Sequence, residues 1–346
     1  MNEKKNTEFH SEETLDRTPS NRTYQHNVED GTMNTTQEPD KEQLKWFFGC
    51  IATAMRGITE AERYSLINPR CDKELHNQLC WQDIAMRRTV STILQKINED
   101  NTKKPSCFGT SMFNPINGKT EPVLFYGDIV KDVPRDLNNM PDNDEQRERL
   151  LHDAQQEAVN WLIEHKTGQA PALESEKYLQ QFAREMELDS KNIIFNELKG
   201  NDDMEKGKVN DAWMCESIAN ALRCITEEER NILIYPSCNM GDYKFLCLEY
   251  VAICLTVSAI LLEINKDAKE KPTVIDTQLF NPFNGKTEMT RLCGDMEKDD
   301  ILGKMPMPEN AEQAEQMFHD ARREAANWLT DKMRKELPRR SIDECA

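Results

Sequence analysis

No part of this chain gathers the lysines and arginines that a phosphate backbone demands. Acidic residues outnumber basic ones 62 to 44, and the formal net charge is -18. Binding to nucleic acid or anionic lipid needs a basic face, so neither is expected as a partner. A protein partner with a basic surface fits the charge better. Close-spaced cysteine pairs are missing too. The 11 cysteines are odd in number and include no C-x-x-C pair, which points to reduced thiols rather than a disulfide framework. The opening residues MNEKKNTEFHSEETLD hold no apolar run of the kind a cleaved secretory signal carries. A cytoplasmic location is therefore expected, with export by a route that needs no cleaved signal as the alternative. Apolar runs are short. Hydrophobic residues make up 38% of the chain, below the usual range for globular domains. The thirteen uncharged residues Tyr250–Leu262 fall short of the roughly 20 that span a bilayer, so no membrane span is expected.

What the chain does have is an internal repeat at a fixed offset of 167 residues. IATAMRGITEAERYSLINPRC (Ile51–Cys71) lies over IANALRCITEEERNILIYPSC (Ile218–Cys238). MFNPINGKTE (Met112–Glu121) lies over LFNPFNGKTE (Leu279–Glu288), and LHDAQQEAVNWL (Leu151–Leu162) over FHDARREAANWL (Phe318–Leu329). About 54 of 117 positions are identical without a gap between 46–162 and 213–329. The expected organisation is a disordered tail over 1–40, a module at 46–162, a linker at 163–212 with a helix at Ala172–Leu188, where apolar residues recur at helical spacing, and a second module at 213–335. The tail is rich in Asn, Thr, Glu and Ser and buries too little apolar surface to offset ordering. About 117 residues suffice for an independent core.

Each module reads as helix, helix, long helix, hairpin, helix. Thr59 with Glu62, and Thr226 with Glu229, have the spacing of capping boxes at a helix start, and Pro69 and Pro236 end that helix. The long helices are expected at about Glu74–Asn98 and Asp242–Asn265, and the last ones near Asp144–Glu164 and Asn310–Lys335. The fold class is mostly α (α+β), a tandem duplication of a helical module with a small β-hairpin.

The most specific motif is F-N-P-x-N-G-K-T-E. Its Asn-Gly dipeptides (Asn117-Gly118, Asn284-Gly285) suit a type I′ turn. Turn chemistry does not account for the recurrence of Asn114, Lys119, Thr120 and Glu121 as Asn281, Lys286, Thr287 and Glu288. The recurring polar set is either part of the hairpin's own structure or a binding tip carried by Asn114, Lys119, Glu121, Asn281, Lys286 and Glu288. It is not a P-loop, which needs G-x-x-x-x-G-K-[ST].

The last helix carries H-D-A-x-x-E-A-x-N-W-L. His152, Asp153 and Glu157, matched by His319, Asp320 and Glu324, have the residue types of acid–base chemistry. A solvated helix face is the plainer reading, because His152 has Gln156 at i+4 rather than a ligand. Cys71, Cys80, Cys238 and Cys247 recur with an eight-residue gap that fits no common zinc module, so no metal or other cofactor is expected.

Finally, Phe245–Asn265 is apolar all round, whereas its counterpart carries Asp83, Arg87, Arg88, Gln95 and Lys96. Those positions are expected to face water in the first module. In the second module Cys254, Leu255 and Leu262 are expected under a covering surface: the linker, the other module or a second copy through self-association. Arg88→Leu is accordingly expected to be nearly silent. The function expected from these features is a non-enzymatic protein–protein interaction or regulatory protein with two similar acidic modules. The alternative is a hydrolase-like enzyme working through the His/Asp/Glu helix face.

Overall fold

The computed structural model describes residues 41–99, 105–133, 143–166, 193–195, 211–266, 272–295, 299, 308 and 310–336. The tail expected to be disordered and the helix expected at Ala172–Leu188 lie outside these residues. The described chain is mostly helical, with two small sheets. Helices α1 (Lys41–Leu66) and α2 (Lys73–Glu99) lead into strands β1 (Cys107–Phe113) and β2 (Thr120–Phe125). A single turn, α3 (Ile129–Asp132), and helix α4 (Asp144–Lys166) follow. After the short strand β3 (Ile193–Phe195) the order returns: α5 (Asp211–Ile234), α6 (Met240–Asn265), β4 (Ile275–Asn281), β5 (Lys286–Leu292) and α7 (Ala311–Glu336).

Helix α1 runs unbroken through Thr59, so the expected capping box does not form. Thr59 is buried and turns its hydroxyl back to the Arg56 carbonyl, 3.1 Å away, a bond that a mid-helix threonine makes in place of capping. Thr226 does the same toward Arg223 and also accepts from the Phe280 N–H at 3.4 Å. Tertiary burial carries the helix past the local start signal. The residues that looked like caps, Thr59, Glu62, Thr226 and Glu229, all face the interior.

The hairpin loops also differ from expectation. The Asn114 N–H pairs with the Lys119 carbonyl, and the Gly118 N–H returns to the Asn114 carbonyl, both at 2.8 Å. The loop between the paired residues is thus four residues long, Pro115–Gly118, where a type I′ turn has two. Gly118 (φ 72°) and Gly285 (φ 70°) take the left-handed conformation.

Helices α1 and α6 pack together, α2 packs on α5, and α2 crosses α6. Exchanging 46–162 for 213–329 maps the first two of these pairings onto each other. The largest buried cluster accordingly draws on both segments, with Phe47, Phe48, Met55 and Ile93 beside Met214, Leu222, Val257 and Ile260. Each such side chain contributes about 1.5–3 kcal/mol on burial. The segments therefore share one core rather than each closing its own. Smaller clusters, around Phe113 and Ala154 and around Phe280 and Ala321, belong to one segment each.

Helix α6 is long and apolar enough to cross a membrane by length and composition, but 72% of its most apolar window is buried inside the fold. The first segment supplies much of its cover, through α1 and α2. Cys254 is buried and Leu255 is half-buried, as expected for covered positions, but Leu262 is 44% exposed. Its counterpart Gln95 is exposed as well, so that position faces water in both segments. The expectation that Asp83 and Arg87 face water fails: they form a buried ion pair at 2.7 Å. Tyr250 and Cys254 fill the matched places as buried, uncharged side chains.

β1 and β2 pair antiparallel, Phe113 opposite Thr120, and β4 and β5 pair likewise, Phe280 opposite Thr287. β3 joins the other edge of β1 in parallel, with Cys107 opposite Ile193 and Gly109 opposite Phe195.

Candidate functional site

The two recurring motifs meet. In the hairpin, Glu121 accepts from the side-chain amides of Asn114 (3.2 Å) and Asn117 (2.6 Å). Glu288 accepts from Asn281 (3.0 Å) and Asn284 (2.7 Å) in the same way. A carboxylate clamped by two amides fixes the loop, so four of the six candidate binding residues are engaged in holding their own hairpin. Lys119 and Lys286 have exposed side chains. The loop glycine lies against the last helix: a Cβ on Gly118 would stand 2.7 Å from the Ala154 Cα, and one on Gly285 2.2 Å from the Ala321 carbonyl oxygen.

Between hairpin and last helix lies an arginine. The Arg63 guanidinium stacks over Phe113 at 4.5 Å and Trp161 at 4.2 Å and donates to the Thr120 hydroxyl. Arg230 sits between Phe280 at 4.6 Å and Trp328 at 3.8 Å and donates to Thr287. A cation held between two aromatic faces gains from both ring quadrupoles. Burial lowers both guanidinium pKa values to about 10. The recurring Phe, Thr and Trp are thereby explained by one partner, which the spacing within either motif does not reveal.

Next to each caged arginine, one residue back on the helix, is a buried carboxyl group. Glu62 and Glu229 are fully enclosed, and neither oxygen of either has a hydrogen-bond partner. Burial holds both well above the usual carboxylate range. Asp83 pushes Glu62 further up and Glu249 does the same for Glu229, while Arg87 with Arg63, and Arg88, act in the opposite sense. Each enclosed acid thus faces a carboxylate–guanidinium pair, but a different one. Around Glu62 it is Asp83–Arg87, within α2. Around Glu229 it is Glu249 with Arg88, which reaches across from the first segment and also bonds Glu228 at 2.6 Å. Enclosure of this kind favours the protonated over the charged form of a carboxyl group. Buried perturbed acids mark functional sites and structural networks alike.

The candidate acid–base residues stand apart from this cluster. His152 has a side chain 78% exposed and turns to Asp153 at 3.6 Å. His319 turns instead toward Glu315 at 4.0 Å. Asp320 bonds Gln316 and Arg323; first the Gln316 bond, then Arg323, lower its pKa. Glu157 is exposed and Glu324 half-buried. The two helices therefore do not hold one shared constellation at these positions.

Among the described residues no group of three or more His, Cys, Asp or Glu side chains is placed to hold a metal ion. Cys80 lies 3.7 Å from His76, and burial pushes its thiol far up. Burial likewise raises Cys247 to about 12, so neither is a ready thiolate. His76 went unnoticed in the sequence. Its Nε2 meets the Pro115 carbonyl at 2.9 Å, and Tyr243 takes over by donating to the Phe283 carbonyl at 3.4 Å. Asp132 was missed as well. It accepts from the backbone of Tyr126, Gly127 and Asp128 and from the Ser91 hydroxyl; Asp299 accepts from Cys293, Gly294 and Ser258. The recurring G-D-x-x-K-D of 127–132 and 294–299 is the signal that could have found this clasp. Compared with family models, with curated proteins and with solved structures, the chain finds no match.

Proposed function

We propose that this is a non-enzymatic interaction or regulatory protein of the cytoplasm. It arises by tandem duplication of one module, 46–162 and 213–335, and presents two similar acidic surfaces to a protein partner. The observation that supports this reading is how the recurring polar residues are used. Asn114 and Glu121, like Asn281 and Glu288, are engaged within the hairpins, Thr120 and Thr287 accept from Arg63 and Arg230, and the acid–base candidates stand apart from them on the last helices. What remains outward at matched positions is a lysine on each hairpin, Lys119 and Lys286, on copies that carry net charges of -3 (46–162) and -8 (213–329). Two similar surfaces on one body suit a bivalent partner, whose second contact forms at high effective concentration.

Affinity capture from the native cell with the full chain, beside a Lys119→Ala/Lys286→Ala chain, tests the reading. The substituted chain is expected to lose the partner with unchanged melting, since exposed lysines contribute within about 0.5 kcal/mol. Loss of melting temperature together with the partner would assign the lysines to the fold and refute the recognition role.

A further inference from the structure

Strand β1 has a neighbour that β4 lacks among the described residues. β3 lies parallel along the outer edge of β1 at Cys107–Gly109. At the same offset the second segment offers Val274–Asp276. Farther along β4 that edge is closed by α5, because the Phe280 N–H donates to the Thr226 hydroxyl. In a strand, alternate residues direct both N–H and C=O to the same edge. Since Phe280 points away from β5, Gln278, Asp276 and Val274 point the same way. The Val274 carbonyl meets the Cys215 thiol at 3.8 Å; the main-chain groups of Asp276 and Gln278 open outward.

The side chains repeat this asymmetry. All seven residues of β1 are buried, whereas Asp276 and Gln278 of β4 are exposed. Met289, opposite Gln278 on β5, is 69% exposed. A charge on an edge strand usually discourages pairing, but Asp276 is matched by Arg291 across the ladder at 3.8 Å.

We infer that the open edge of β4 at Val274–Gln278 is a docking site for an extended segment of a partner protein, added as a parallel strand. The chemistry of that segment follows from the strand that fills the equivalent edge of β1. It is a short apolar, β-branched stretch of the Ile-Ile-Phe kind, with a basic flank to suit the charge of -8 on residues 213–329. Main-chain bonds supply the affinity and alternate side chains the selectivity, as in other strand additions. The inference rests on the interaction reading above and names its surface. A captured partner that ignores the β4 edge would preserve that reading and overturn this one.

The probe is a labelled peptide of the chain's own residues Ser190–Glu197, titrated by fluorescence anisotropy into the full-length protein. One saturable site per chain is expected. N-methylation at the residue equivalent to Ile194 removes a bonding N–H and should weaken binding by about tenfold or more. Gln278→Pro removes an outward N–H while leaving the ladder to β5 intact. It should weaken binding similarly with unchanged melting. In an Ile194→Pro chain, which frees the edge of β1, stoichiometry should rise from one to two. No binding to the parent, binding indifferent to both N-methylation and Gln278→Pro, or a single site seen only after Ile194→Pro would overturn the inference.

Discussion

Replacing Arg88 by leucine probes the joint between the two segments, and the structure reverses the outcome that the sequence suggests. Leu255 occupies the matched position, so by comparison alone the substitution is nearly silent. In the fold, Arg88 donates to Glu249, whose side chain is 1% exposed, and to Glu228 on the rim. Removing the guanidinium strands a buried carboxylate, and breaking a buried pair from one side costs about 3–5 kcal/mol. The Glu228 arm adds little, because an exposed ion pair contributes at most about 1 kcal/mol. Burial already holds Glu249 above its ordinary pKa, and Arg88 pulls it back. Without Arg88 its folded pKa climbs further above the unfolded one. Stability is then fully present below the ordinary carboxylate range and is lost as pH rises through the folded value.

Denaturant melts of parent and Arg88→Leu at about pH 5 and pH 8 measure this, with the larger deficit expected at the higher pH. The chain itself suggests the rescue. At matched positions α1 and α2 carry Ala61 and Gln82 where α5 and α6 carry Glu228 and Glu249. Arg88→Leu/Glu228→Ala/Glu249→Gln gives this contact the residues of its counterpart and should recover most of the loss. An Arg88→Leu chain within about 0.5 kcal/mol of the parent at both pH values would refute the buried pair.

Other perturbations follow the same physics. Glu62→Gln/Glu229→Gln removes two acids whose folded pKa values are raised by burial. It should flatten the decline in stability as pH rises above the ordinary carboxylate range, so melts of both chains across that range should diverge increasingly toward alkaline pH. Gly285→Ala forces a side chain into φ 70° and against the Ala321 carbonyl; a loss of about 1–3 kcal/mol or more is expected in a thermal melt, and an unchanged midpoint would place the loop away from α7. Arg87→Leu strands Asp83 and should cost about 3–5 kcal/mol, whereas Asp83→Tyr/Arg87→Cys, which imports the neutral pair of α6, should recover most of it by the same denaturant measurement.

Much of the architecture was legible because it depends on local patterns. The long helices were placed within a residue or two at Lys73–Glu99 and Met240–Asn265, since apolar periodicity and the flanking prolines bound them. The hairpins were legible from the Asn-Gly dipeptide, although loop length was not. Whether Asn117 joins the turn depends on the Glu121 clamp seven residues from Asn114, which no dipeptide rule contains. Thr59 and Glu62 misled because a capping box and a buried mid-helix pair share one spacing, and only tertiary packing tells them apart. The cage around Arg63 drew on three separate segments, so no window of sequence could show it. Strand β3 is three residues in a polar linker, too short for any periodic signal.

Under the proposed duplication, the residues that differ between copies decide how the copies fit. Helix α2 on α5 and α6 on α1 are reciprocal contacts, and among the described residues the first carries an ion pair within hydrogen-bond distance, Arg88 with Glu228, that the second does not match. Pairing two first copies would set Arg88 against Ala61 and Gln82, with no acid to receive it. Pairing two second copies would set Leu255 against Glu228 and Glu249, leaving a buried carboxylate without a cation. Only the mixed pair provides for both, so the interface discriminates through what the wrong pairings leave unmatched as much as through what the right one gains. The buried acids follow this division, since Glu62 faces a pair supplied by its own copy and Glu229 faces one supplied partly by the other. The matching lysine tips are common to both copies, so the proposed bivalent partner would grip each copy alike there, while the filled edge at β1 and the open edge at β4 would tell the copies apart.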